Sequence, residues 1–171
     1  MRKGHGNVAH IYGADFETDN DGVCSAWVVQ WALVSHSNEW HGRDIGSFFD
    51  TLISRVNVEK KVLCYFHNLK YDSSFMGESF HKLIESGWTC SPIIRKRSPI
   101  IIRFSSGDMI LEFRDSLKKI PGDLRSIGKL IDCPKLDPPG PEDFAPGWSE
   151  GIDYTDPQTW EYVIRDATIC Q

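Results

Sequence analysis

The stretch His10-Ile11-Tyr12-Gly13-Ala14-Asp15-Phe16-Glu17 decides how the chain is read. From His10 to Phe16 it is β-branched, aromatic, apolar or small, as a strand requires, and residues two apart on a strand project from the same face. Asp15 and Glu17 therefore present two carboxylates side by side at the end of an apolar strand. Val23 to Val34 has similar apolar character, and Asn20-Asp21-Gly22 between the two is a turn signal. An antiparallel hairpin is predicted, with the acids at its turn end. Alternating acids on a strand are ordinarily a solvated surface pattern. Here the small and apolar approach from Ile11 to Ala14 places at least one carboxylate at the rim of a core, where desolvation must be offset by hydrogen bonds or a cation.

The bulk composition bounds the rest. A chain of 171 residues with 40% hydrophobic residues fits one domain with a substantial core. A formal net charge of -5 and a pI near 5.6 argue against binding nucleic acid through a broad basic surface, so any such grip must be local. The five cysteines are odd in number and lack zinc-type spacing, which points to a reducing interior rather than to disulfides or structural zinc. Met1 to His10 has no apolar stretch of the signal-peptide kind, and no apolar run is long enough for a membrane span. A soluble, cytoplasmic protein is expected.

Farther along, Asp44 to Val56 places Ile45, Phe48, Phe49, Leu52, Ile53 and Val56 at helical spacing with Asp44 as N-cap. Val62 to Phe66 is a continuous apolar run fitting a central strand. A helix is predicted over Ser73 to Ser86, starting from Asp72 and closed by Gly87. Ile93-Ile94, Ile100 to Phe104 and Met109 to Phe113 are strand-like, the last two turned by Ser105-Ser106-Gly107-Asp108. Pro121 to Ile131 suggests a short helix with Pro121 near its first turn. Cys133 to Gly151 holds most of the prolines and reads as an irregular loop. A last helix starts at Asp156-Pro157 and continues in pattern to Gln171, as though the domain belonged to something longer. Strands mixed with helices in this order give an α/β layer.

Further groups of chemical interest lie on these elements. Asp72 sits where a strand gives way to a helix, with Asn68, Tyr71 and Phe75 close by; rings stack on bases and an amide can hydrogen-bond sugar or base. On the last helix Tyr162 and Asp166 are four apart and share a face, backed by Trp160, Val163, Ile164 and Ala167. Glu161 and Arg165 look like an ordinary solvated pair, and His67 like a structural histidine. Lys118, Lys119 and Arg95-Lys96-Arg97 are candidate phosphate contacts, though a solvated hairpin tip would read the same way.

Asp15-Phe16-Glu17-Thr18, Phe66-His67-Asn68-Leu69-Lys70-Tyr71-Asp72 and Tyr162-Val163-Ile164-Arg165-Asp166 resemble the three exonuclease motifs of the Asp-Glu-Asp-Asp superfamily in its tyrosine-bearing branch. With Asp115-Ser116-Leu117-Lys118-Lys119-Ile120-Pro121 added, the chain is similar to the proofreading domain of protein-primed family B DNA polymerases from phages and linear plasmids, from Asp15 to Asp166. The resemblance implies a ribonuclease H-like exonuclease fold, a mixed β-sheet flanked by α-helices, forming one domain over 1–171 that is the N-terminal part of a longer polymerase. It implies that Asp15, Glu17, Asp72 and Asp166 hold two divalent ions, Mg²⁺ or Mn²⁺, and that Tyr162 orients the attacking water. Thr18, Asn68, Tyr71, Phe75, Ser116 and Leu117 match positions that contact a single-stranded DNA 3′ end. The implied partners are that DNA, a downstream polymerase domain and a terminal-protein primer, with the chain a monomer in a bacterial cytoplasm. One departure stands out: the family often places a lysine just before its Gly-x-Ile-Asp-Tyr-like segment, where Ser149-Glu150 precede Gly151-Ile152-Asp153-Tyr154 here, leaving Lys135 as a substitute from the loop.

Four carboxylates are hard oxygen ligands of the kind Mg²⁺ and Mn²⁺ prefer, and a two-metal site with ions roughly 3.5 to 4 Å apart stabilises both oxygens of a phosphodiester displacement. Three other readings stay open on the residues alone: a free-standing exonuclease on RNA or short oligonucleotides, a catalytically silent module of the same fold, and a structural domain with incidental acids. The last is separated from the others by whether the acids converge in space.

Overall fold

The computed structural model describes residues 9–18, 23–31, 38–137 and 154–170. Its elements in chain order are β1 (His10–Thr18), β2 (Cys24–Trp31), β3 (Asn38–Gly42), α1 (Ile45–Glu59), β4 (Lys61–Phe66), α2 (Leu69–Asp72), a 3₁₀ turn (Ser73–Phe75), α3 (Gly77–Glu85), β5 (Thr89–Arg95), β6 (Ser98–Ser106), β7 (Met109–Asp115), α4 (Leu124–Leu130) and α5 (Pro157–Cys170). The turn signal Asn20-Asp21-Gly22, most of the proline-rich segment, the Gly151-Ile152-Asp153 run and Gln171 lie outside the described residues.

The strands form a single seven-stranded mixed sheet in the order β3-β2-β1-β4-β7-β6-β5. Its centre is parallel, β1 beside β4 and β4 beside β7, and both wings are antiparallel. The β4 run from Val62 to Phe66 is buried throughout and takes the middle position, as a strand covered on both faces must. The β1–β2 hairpin pairs Asp15 with Val28 and Glu17 with Ala26, and a register shift follows between Glu17 and Thr18. Alternation along β1 sorts its two faces. Tyr12, Ala14 and Phe16 enter the main core, and Asp15 and Glu17 point the other way.

That core is aromatic. Phe16 meets Phe48 and Phe66 edge-on at ring separations of 4.8 and 5.0 Å, and Phe49, Phe80, Phe104 and Phe113 extend the contact under α1 and α3. Edge-on pairs of this kind contribute roughly 0.5–1.5 kcal/mol each beyond their burial. α1 forms because Phe48, Phe49, Leu52 and Val56 recur on one face and Asp44 caps it, accepting from the Ser47 N–H at 2.9 Å. The helix runs on to Glu59, three residues past the expected end, and Lys60 closes it at φ 65° by donating to the Val56 carbonyl.

The helix expected over Ser73 to Ser86 is broken. Helical backbone starts earlier, at Leu69, directly after Asn68 at φ 75°, and Asp72 is the last residue of α2 rather than an N-cap. Burying both Leu69 and Met76 requires the chain to turn early, and the Ser74 hydroxyl donates to the Tyr71 carbonyl at 2.6 Å, competing with the helical ladder at the break. Pro121 likewise stands outside its helix. α4 begins at Leu124 because Asp123 accepts from the Ser126 N–H at 2.8 Å. β3 is a further element, not evident from the residues: Asn38-Glu39-Trp40-His41-Gly42 is largely polar and adds to the sheet edge beside β2, where Gly42 lies against the Trp27 ring and a Cβ would fall 2.7 Å from it. The expected strands at Ile93-Ile94, Ile100 to Phe104 and Met109 to Phe113 all form, each longer than its apolar stretch.

The cap makes α1 pH-sensitive. Hydrogen bonds from Ser47 hold the Asp44 carboxyl below its ordinary range, so its contribution is present above that range and fades as pH falls through the lowered value. Asp44→Ala is expected to cost about 1 kcal/mol at neutral pH. In urea unfolding the deficit relative to wild type shrinks on acidification.

Candidate functional site

Asp15 and Glu17 come from β1, Tyr162 and Asp166 from α5, and α5 lies across β1 and β2 on the face opposite the aromatic core. The contact is apolar: Val28, Val163 and Ala167 pack with the Tyr162 ring, and Leu136 and Ile164 close the edge. Asp156 and Pro157 start the helix as expected, with Asp156 accepting from the Gln158 N–H at 2.9 Å. The packing carries the Asp166 carboxylate to the two acids of β1. One oxygen from each of Asp15, Glu17 and Asp166 lies within 4.8 Å of the others. Asp15 and Glu17 are half-buried and Asp166 is buried.

Asp72 is not one of that group of three. It is buried on α2 at 3% exposure and lies within electrostatic reach: burial first, then the Asp15 charge, pushes its pKa well up. The same two causes dominate across the cluster. Burial and then Asp166 push Asp15 up to about 8, and burial and then Asp15 push Glu17 well up. Burial also raises Asp166, even though a lysine opposes the rise.

That lysine is Lys135. Its ammonium donates to Asp166 Oδ2 and stands 5.2 Å from the centroid of the Tyr162 ring. Burial opposes its charge, but Asp166 outweighs burial and keeps it protonated. Lys135 enters from the loop after α4. Gly128 of α4 makes this approach of the backbone possible, since a Cβ there would fall 2.5 Å from the Cys133 carbonyl and 3.2 Å from the Lys135 backbone nitrogen. The Tyr162 hydroxyl is no base: burial, then the Glu17 charge, pushes its pKa up to about 12.

The remaining predicted residues fall into two groups. Thr18 and Tyr71 share a hydroxyl–hydroxyl hydrogen bond of 2.8 Å, and Phe75 meets the Tyr71 ring edge-on at 5.0 Å. Asn68 and Leu117 line a cavity of about 570 Å³ with His67, Arg125 and Lys135, so this groove ends at the lysine that holds Asp166. Ser116 stands at its border, its Oγ 3.2 Å from His67 Nδ1. His67 Nε2 donates to the Gly122 carbonyl at 2.8 Å, which fits the structural role expected of it. Glu161 and Arg165 pair at 3.6 Å on the outer side of α5.

Asp115, whose role the residues alone do not reveal, is the tie between loops. Almost fully buried, it accepts from the Asn68 N–H at 3.2 Å and the Leu117 N–H at 3.0 Å through one oxygen. Its position at the end of β7, beside Phe66 of β4, was the available signal.

The residues fit a hard divalent cation. The donors are carboxylate oxygens, the three acids of the group face a single lysine among the described residues, and Asp166 Oδ1 is buried with no hydrogen-bond partner among the described residues.

No protein-family model and no curated protein matches the sequence. Among solved structures, Phi29 DNA polymerase complexed with single-stranded DNA superposes with a TM-score of 0.66 over 95% of this chain, at 22% identity. The chain has the fold of a part of Phi29 DNA polymerase. It spans 30% of the length of that polymerase, and the likeness extends to its complex with primer-template DNA and incoming nucleotides, TM-score 0.66, and to an orthorhombic crystal form, TM-score 0.64. At this identity the Phi29 comparison establishes the fold, a mixed sheet flanked by helices of the ribonuclease H-like kind that the motifs implied. Among the described residues no helix is long and apolar enough to cross a membrane.

Raised acid pKa values make stability fall as pH rises, because the folded state holds protons that the unfolded chain has released. In EDTA, the Tm is expected to drop between about pH 4, the ordinary aspartate range, and the Asp15 value of about 8. Asp15→Asn should flatten that slope and melt higher than wild type at the alkaline end. Mn²⁺ should raise the Tm of wild type and not of the variant, as followed by differential scanning fluorimetry.

Proposed function

We propose that the chain is the 3′-to-5′ exonuclease domain of a DNA-directed DNA polymerase, proofreading by hydrolysis of the terminal phosphodiester of a single-stranded 3′ end. The observation that carries this reading is the meeting of Asp15, Glu17 and Asp166 from the first strand and the last helix, with oxygens within 4.8 Å of one another. Asp15, Glu17, Asp72 and Asp166 would hold two Mg²⁺ or Mn²⁺ ions. Such a pair, when bound, supplies activation of water and stabilisation of charge on the attacking and leaving oxygens.

The chain's own residues do the rest. Tyr162 keeps its proton and orients the attacking water through its hydroxyl, since a phenol this hard to ionise cannot take a proton near neutrality. Lys135 remains cationic, fixes the Asp166 carboxylate and supplies positive charge beside the reacting phosphate. Asn68, Ser116 and Leu117 border the strand along the groove, and the rings of Tyr71 and Phe75, with Thr18, offer stacking and polar contacts to the terminal bases. The chain of 1–171 is one such domain, the N-terminal part of a longer polymerase, acting as a monomer in a bacterial cytoplasm. The downstream domain would supply synthesis and primer grip, with a terminal protein as primer.

The test is a time course on 5′-labelled single-stranded DNA with and without Mn²⁺. A ladder shortening from the 3′ end is expected, abolished in Asp15→Ala/Glu17→Ala. Tyr162→Phe should slow hydrolysis by on the order of 10²-fold, the scale of a lost positioning contact, while Mn²⁺ still raises its Tm. Equal loss of metal response in both variants would contradict the assigned roles.

A further inference from the structure

The sheet face that bears Asp15 and Glu17 continues across β4, β7 and β6. α5 covers its β1 and β2 end, and farther along the face is charged. Leu63, Glu112 and Arg103 form one cross-strand row, and Tyr65, Arg114 and Ile101 the next. Glu112 is wholly buried, with Arg103 Nε donating to Oε2 at 2.7 Å and Arg114 donating to Oε1. Arg114 and Lys119 both donate to the Tyr65 hydroxyl, at 3.2 and 2.8 Å. Arg114, Lys119, Arg95 and Lys118 surround a cavity of about 400 Å³ whose apolar lining is Ile100 and Ile101. In a chain of net charge -5 this grouping of cations is a local reversal of sign.

The geometry points to a phosphate-binding shelf: the cations around this cavity hold the sugar–phosphate backbone of DNA whose 3′ end lies at the acid cluster. Charge complementarity selects the occupant, because a polyanion answers several cations that two carboxylates, Glu112 and Asp115, leave in excess. Of the cations around the cavity, Glu112 fixes the Arg114 guanidinium from below, so it loses little freedom when a phosphate arrives. Continuity gives the path. Asp115 ties Leu117 to Asn68 in the groove, and the next residues of the same loop, Lys118 and Lys119, line the shelf. The naming of DNA as the polyanion rests on the exonuclease reading; the shelf itself rests on the cations.

The experiment measures anisotropy of a fluorescein-labelled oligothymidylate in EDTA across a range of KCl, so that binding is read without hydrolysis. Arg95→Gln/Lys118→Gln alters two exposed side chains and is expected to weaken binding roughly ten-fold and to lower the slope of log Kd against log salt by about 1.4. Arg95→Lys/Lys118→Arg should keep both. Unchanged affinity and slope in the glutamine variant overturn the shelf, as does absence of salt-dependent binding by the wild type. Displacement by polyglutamate as effective as by unlabelled oligonucleotide overturns the assignment to DNA in favour of an acidic protein partner. Asp15→Ala/Glu17→Ala is expected to bind the oligonucleotide in EDTA and to leave it uncut when Mn²⁺ is added; a wild type that binds in EDTA but does not cut on addition of Mn²⁺ sinks the catalytic reading and leaves the shelf standing.

Discussion

The packing of α5 over β1 and β2 is the contact on which the site depends. Val163, Ala167 and the Tyr162 ring press against Val28, and this apolar association holds Asp166 beside Asp15 and Glu17 although like charges repel and burial penalises all three. Apolar area buried elsewhere thus sustains an arrangement that the acids themselves oppose. Lys135 relieves only part of the excess, and it reaches the cluster because α4 tolerates close approach at Gly128.

The sheet determines what surrounds that cluster. β1, β4 and β7 run parallel at its centre, so Glu17, Phe66 and Asp115 all end at one edge. Thr18 closes β1 and the connections leaving β4 and β7 carry Asn68, Ser116 and Leu117, and the crevice beyond the carboxyl ends of parallel strands is where open α/β sheets bind ligands. Asp115 then joins two of these connections through backbone N–H groups. The likeness to a part of Phi29 DNA polymerase covers 95% of the chain.

What was legible in the residues follows from what acts locally. Asp44 announced α1 and Asp156-Pro157 announced α5, because a cap lies within a few positions of the backbone it serves. β4 was legible through unbroken apolar character. The acids and Tyr162 could be placed on their faces by period alone. The break at Ser73–Phe75 was hidden, since it depends on burying Leu69 and Met76 against a distant core. β3 was hidden because an edge strand needs no apolar alternation. The bond from Lys135 to Asp166 joins positions 31 apart, and no local pattern in the residues ties a loop lysine to one face of a later helix.

One strand carries both the core and the chemistry, Tyr12, Ala14 and Phe16 on one side and Asp15 and Glu17 on the other. Substitutions can therefore dissect the two sides separately, whereas inserting or deleting one residue within the strand would exchange them. A phenyl ring would then stand where a carboxylate belongs, and a carboxylate would be driven among the rings of Phe48 and Phe66. Length variation in this segment is barred on two counts at once, so drift among descendants of this chain has to proceed here by replacement alone.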